Sequence, residues 1–145
     1  MSIIKEIYDV SKDAAKFKSR IKSVKKALKT ELKLNQKFLS EVGKSQAVND
    51  ERRKKIIQML EINELADAIK YDIPYKLISR KKVTPALAAQ YRIKRISGFD
   101  FEKLIENQYL KIAYLKKDFD NPRINLNARL LNIYKQNSIL LELLD

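Results

Sequence analysis

Apolar residues recur along the first third of the chain at Ile3, Ile7, Val10, Ala14, Phe17, Ile21, Val24 and Leu28, alternating steps of four and three. That spacing keeps one stripe of a helix facing a partner. From Ser2 to Val42 there are forty-one residues with neither glycine nor proline. The pattern predicts one long amphipathic helix of about 40 residues, roughly 60 Å at the usual helical rise, closed by Gly43 in a left-handed cap. Beyond Leu28 the stripe widens through Leu32, Leu34, Phe38 and Leu39, with Glu31 and Asn35 at its next positions. A widening stripe suits several neighbours rather than one coiled-coil partner. Lys18, Arg20 and Lys25 flank the seam, so a parallel two-stranded pairing would set like charges together.

Further along, Asn49 or Asp50 caps a second helix whose inner face is Ile56, Met59, Leu60, Ala66 and Ile69 and which ends near Tyr71, ahead of Pro74. Thr84 followed by Pro85 opens a short helix expected to close at Gly98. Asp100 caps the next helix, with Phe99 and Leu104 placed as a hydrophobic staple and Leu104, Ile105, Ile112, Leu115 and Phe119 inside. The last helix repeats the strict seam at Leu126, Leu130, Ile133, Asn137, Leu140 and Leu144. Brief turns between such segments predict an all-α, single-domain antiparallel bundle over residues 1–145, with four long helices and one short extra helix. Asn35 and Asn137 each stand where the seam otherwise holds Leu, Ile or Val, and such a residue serves to fix register or assembly.

Composition agrees with this architecture. Two glycines and three prolines in 145 residues leave little material for strands and turns. Cysteine and histidine are absent, so disulfides and thiolate or imidazole metal sites cannot be built. The paired carboxylates Glu61 with Glu64 and Glu102 with Glu106 lack the histidines of bundle metal centres. No phosphate-cradling glycine loop or nucleophile elbow exists, and no cofactor is expected. The longest uncharged run, Val83 to Tyr91, has nine residues, far below the roughly 20 that span a bilayer. A non-enzymatic, cytoplasmic protein is the expectation.

Charge changes the picture most. The chain carries 31 Lys and Arg against 18 Asp and Glu, a net +13, a field that favours acidic partners. Ile73 to Phe99 holds Lys76, Arg80, Lys81, Lys82, Arg92, Lys94 and Arg95 with no acid, interleaved with Tyr75 and Tyr91. Cations of this density can neutralise phosphates while aromatics stack, and Arg80, Lys81, Lys82, Arg92, Lys94, Arg95, Tyr75 and Tyr91 are the candidate binding set. Arg92 and Arg95, three apart, are expected on one face of the short helix. Leu65-Ala66-Asp67-Ala68 through Ile78-Ser79-Arg80 resembles the helix-turn-helix of small repressors, departing from it in Pro74, in a turn without glycine and in a long spacing to Ile78. The expectation does not lean on that likeness.

A second basic run, Lys12 to Lys37, lies on the first helix with ten cations against Asp13 and Glu31. The expected function is an interaction module that docks an acidic protein surface or nucleic acid. The alternative is a membrane-acting bundle whose first helix engages anionic lipid, resembling in outline the four-helix executioner domains of cell-death effectors.

Overall fold

The structure, a computed structural model, describes residues 14–44 and 48–145. Among them are seven α-helices and one 3₁₀ turn: α1 (Ala14–Lys44), α2 (Asp50–Met59), α3 (Asn63–Lys70), α4 (Tyr75–Ile78), α5 (Pro85–Gln90), the 3₁₀ turn (Lys94–Ile96), α6 (Phe101–Asp118) and α7 (Leu126–Leu144). The described residues contain no strand, only an isolated antiparallel bridge between Lys82 and Asp100.

The described part of α1 runs unbroken for 31 residues; Ile3, Ile7 and Val10, and with them the start of the expected helix, lie outside the described residues. Val24, Leu28, Leu32 and Leu39 are wholly buried, and Phe17 and Ile21 pack against the same core. α1 lies chiefly on α7 and also touches α2, α3 and α4, while α6 lies against α7, α3, α2 and α4. Burying a stripe of this kind removes each leucine from water for about 2 kcal/mol apiece.

Gly43 is not a left-handed terminus. It lies inside α1, and a Cβ placed there would stand 2.5 Å from the Tyr134 ring, far inside contact distance. Glycine is needed for close approach of α1 and α7 rather than for a turn.

The expected second helix is two helices, α2 and α3, broken at Leu60–Ile62. The break is held by residues distant in sequence. Glu31 of α1 accepts from the backbone N–H groups of Glu64 and Leu65 at 2.9 and 3.0 Å, capping α3, whose own N-cap residue Ile62 makes no side-chain cap. Asn35 grips the backbone of Glu61 twice, donating to its carbonyl at 2.7 Å and accepting from its N–H at 2.8 Å. Lys116 of α6 donates to the carbonyls of Ile57, Gln58 and Leu60 at 3.0, 3.1 and 2.6 Å, closing the C-terminus of α2 where a cation is favoured. Burial pushes the Glu31 carboxyl above its usual range despite the two N–H groups it holds, and burial likewise lowers the Lys116 ammonium against the pull of Glu61.

Asn137 is wholly buried and ties three helices: it donates to Leu32 O and Gln36 Oε1 at 2.8 Å each, and Gln108 of α6 donates to its Oδ1 at 3.4 Å. Asn35 is equally buried.

Candidate functional site

The basic segment begins where α3 turns into α4. α3 ends with a paired closure: Asp72 N–H donates to Ile69 O and Ile73 N–H to Ala68 O, both at 3.2 Å. Asp72 stands at φ 46, the left-handed position that glycine commonly fills. Pro74 caps α4, where a missing N–H loses no helical bond. α4 is a single turn of four residues, too short to serve as the second helix of a helix-turn-helix.

Arg80, Lys81 and Lys82 follow on an irregular strip anchored at both ends. Ser79 Oγ donates to Leu143 O at 2.6 Å, tying the strip to α7. Beyond Lys82, Val83 N–H donates to Phe99 O at 2.8 Å and Gly98 N–H to Val83 O at 2.7 Å. Gly98 reaches this pairing at φ 87, a conformation open to glycine and strained for other residues. Thr84 caps α5, accepting from Leu87 N–H at 3.1 Å with Pro85 in the first turn, and Asp100 caps α6 through Lys103 N–H at 2.8 Å.

The short helix stops earlier than expected. α5 ends at Gln90, and Gly98 follows the separate 3₁₀ turn and its cap Ser97 instead of closing α5. Arg92 N–H donates to Ala89 O at 3.1 Å and Ile93 N–H to Ala88 O at 2.9 Å, the Schellman closure, with Arg92 itself left-handed at φ 56. Buried Ala88 and Ile93 supply the apolar contact of that motif. Arg92 and Arg95 therefore do not share a helical face, because Arg92 terminates α5 while Lys94 and Arg95 belong to the 3₁₀ turn.

All the expected cations are exposed. Lys81 Nζ is the one with a hydrogen-bond partner among the described residues, the Asp145 carbonyl. The aromatics differ. Tyr75 is 6% exposed, its hydroxyl donating to Ala68 O at 3.1 Å and its ring set edge-on to Phe101 at 6.2 Å; burial pushes its phenol up. Tyr91 is half-buried, and burial, then Glu142 and Tyr134, raise its phenol.

Two separate cavities take five of the seven cations, and Arg92 and Lys94 line neither. Lys76, Arg80, Lys81 and Lys82 line a cavity of about 440 Å³ that Asp100 and Glu102 also line. The segment is free of acid in sequence but not in the fold, since the start of α6 supplies both carboxylates. Arg95 lines a different cavity of about 310 Å³, with Lys111 and Tyr114 of α6 and Arg129 and Asn132 of α7. Lys111 and Arg129 were not among the expected residues. Lys111 had a visible signal, for Leu104, Gln108, Lys111 and Leu115 follow steps of four and three, placing a lysine on a buried stripe.

No group of histidine, cysteine or carboxylate side chains suited to a metal ion exists among the described residues. No helix among them is long and apolar enough to cross a membrane. No protein family, curated protein or solved structure matches this chain, so the functional reading rests on the chemistry of the site.

Proposed function

We propose that the helices form an antiparallel bundle acting as a non-enzymatic module that docks nucleic acid through the exposed basic face from Lys76 to Arg95. The observation that carries this reading is that Lys76, Arg80, Lys81, Lys82, Arg92, Lys94 and Arg95 are all exposed, on short elements pinned to the core at both ends. A pinned backbone has less conformational freedom left to lose when its cations meet phosphates. Nucleic acid is preferred to an acidic protein because seven exposed cations lie within residues 76–95, a density suited to the regular charge of a phosphate backbone. With α4 a single turn and Tyr75 in the core, the contacts fall on phosphates rather than on base edges or stacked bases, and binding is sequence-independent.

Lipid engagement by α1 would require stripping Val24, Leu28, Leu32 and Leu39 from the core, which stands against the membrane-acting alternative. The test is titration of labelled duplex DNA of two unrelated sequences at two salt concentrations. Equal affinities for both sequences and a steep fall with salt are expected. Affinity that ignores salt, or no binding at low salt, counts against nucleic acid, and capture of a polyglutamate probe in its place would assign the face to acidic protein.

A further inference from the structure

We infer that the cavity between the 3₁₀ turn, α6 and α7 is a binding pocket for a phosphate monoester, with Arg95, Lys111 and Arg129 as its cationic wall. The inference does not depend on the nucleic-acid reading. Its cavity is separate from the one lined by Lys76 to Lys82 and shares only Arg95 with the exposed basic face.

Three elements each send one cation to this space, Tyr114 and Asn132 add neutral hydrogen-bonding groups, and no carboxylate lines it. Lys111 Nζ is shielded from solvent and has no hydrogen-bond partner. A buried ammonium without a partner is a costly arrangement, and the like charges of Arg95 and Arg129 on the same cavity add to the cost. An oxyanion relieves all of this at once, the guanidinium forks taking paired oxygens and the ammonium a further one. The Arg129 guanidinium lies 5.8 Å from the Tyr114 ring centroid, close enough for the ring face to steady it.

The volume and the charge select the class of ligand. About 310 Å³ is at the lower end of ligand cavities and suits a phosphate with a small attached group. A monoester carries close to two negative charges at neutral pH and three free oxygens, matching three cations. An internal phosphodiester offers one charge and two free oxygens, with chain continuing on both sides.

Burial, and then the fields of Arg95 and Arg129, lower the Lys111 ammonium to about 8. Arg95, Arg129 and Tyr114 are the charged and titratable groups lining the cavity with it. A bound dianion favours the protonated lysine, so binding above that pH should take up a proton.

The experiment is calorimetric titration of the full chain with inorganic phosphate and with glucose 6-phosphate, against chloride at matched ionic strength, for wild type, Lys111→Met and Arg129→Gln. Wild type should bind glucose 6-phosphate at about millimolar Kd or tighter, and its melting temperature should rise with ligand concentration. Each variant should bind at least about tenfold more weakly, the usual consequence of removing one charge-assisted hydrogen bond. Lys111→Met replaces a buried charge with an apolar chain of similar length, so it should melt no lower than wild type, and exposed Arg129 keeps folding out of question in the second variant. A 5′-phosphorylated oligonucleotide that outbinds both its 5′-hydroxyl counterpart and glucose 6-phosphate would identify the monoester as a strand end; equal binding of the two oligonucleotides beside tight glucose 6-phosphate would identify a small metabolite. Absence of heat and of a melting shift in wild type at about 10 mM of either phosphate, or equal binding by Lys111→Met, overturns the inference.

Discussion

Arg92 holds a left-handed backbone at φ 56, where glycine would be free of strain. The same closure occurs at Asp72, and the two sites share a pattern: Ala68, Tyr71 and Ile73 correspond to Ala88, Tyr91 and Ile93. In each, alanine and isoleucine are buried and tyrosine caps the helix. Aspartate tolerates this conformation through its short polar side chain; arginine has no such compensation. Arg92→Gly should therefore stabilise the protein by about 0.5–1 kcal/mol in urea titration, while weakening duplex binding. Destabilisation would show that the arginine side chain supports the fold instead. Asn137 invites the opposite prediction. Its partners Leu32, Gln36 and Gln108 are all in its own chain, so it registers α1 and α6 on α7 rather than selecting an assembly. Asn137→Leu should cost about 2–4 kcal/mol by removing the buried hydrogen bonds to Leu32, Gln36 and Gln108, with no change in mass by light scattering. A small stability loss with a change of assembly would contradict this.

Among the elements, the legible ones are those whose signals are local. Asn49, Thr84, Asp100 and Asn125 each accept from an N–H three residues on, so a four-residue window of sequence contains the whole cap. The break between α2 and α3 has no such window. Its caps come from Glu31, Asn35 and Lys116, separated from it by 26 to 59 residues, and the apolar period alone runs straight through. Gly43 was legible as special but not in its role, because what it accommodates is Tyr134 of α7. An exposed helical glycine replaced by alanine ordinarily gains about 1 kcal/mol. Here Gly43→Ala should lower the melting temperature, because the ring must shift, and Tyr134→Leu in the same chain should recover most of the loss. A gain from the single substitution would show that the ring moves aside at no cost.

For the whole molecule, the net charge of +13 makes some affinity for any polyanion inevitable, and the claim of a docking face is stronger than that. The basic segment was legible because its cations cluster within 27 residues, Ile73 to Phe99. Its division was not, because only the folded chain sets Asp100 and Glu102 beside Lys76 to Lys82, and Lys111 and Arg129 beside Arg95. Field and face are separable by equal charge changes at different places. Arg80, Lys81 and Lys82 reversed together to glutamate change the net charge as much as Lys22, Lys26 and Lys33 on the exposed side of α1 reversed together. The deciding measurement is the slope of log affinity for duplex DNA against log salt in wild type and in both variants. The account predicts that the loop reversal flattens the slope by about one unit for each phosphate left without its cation and weakens all sequences alike, while the α1 reversal leaves the slope near that of wild type. Equal weakening in the two variants would contradict it, since binding would then follow net charge and no face would be special.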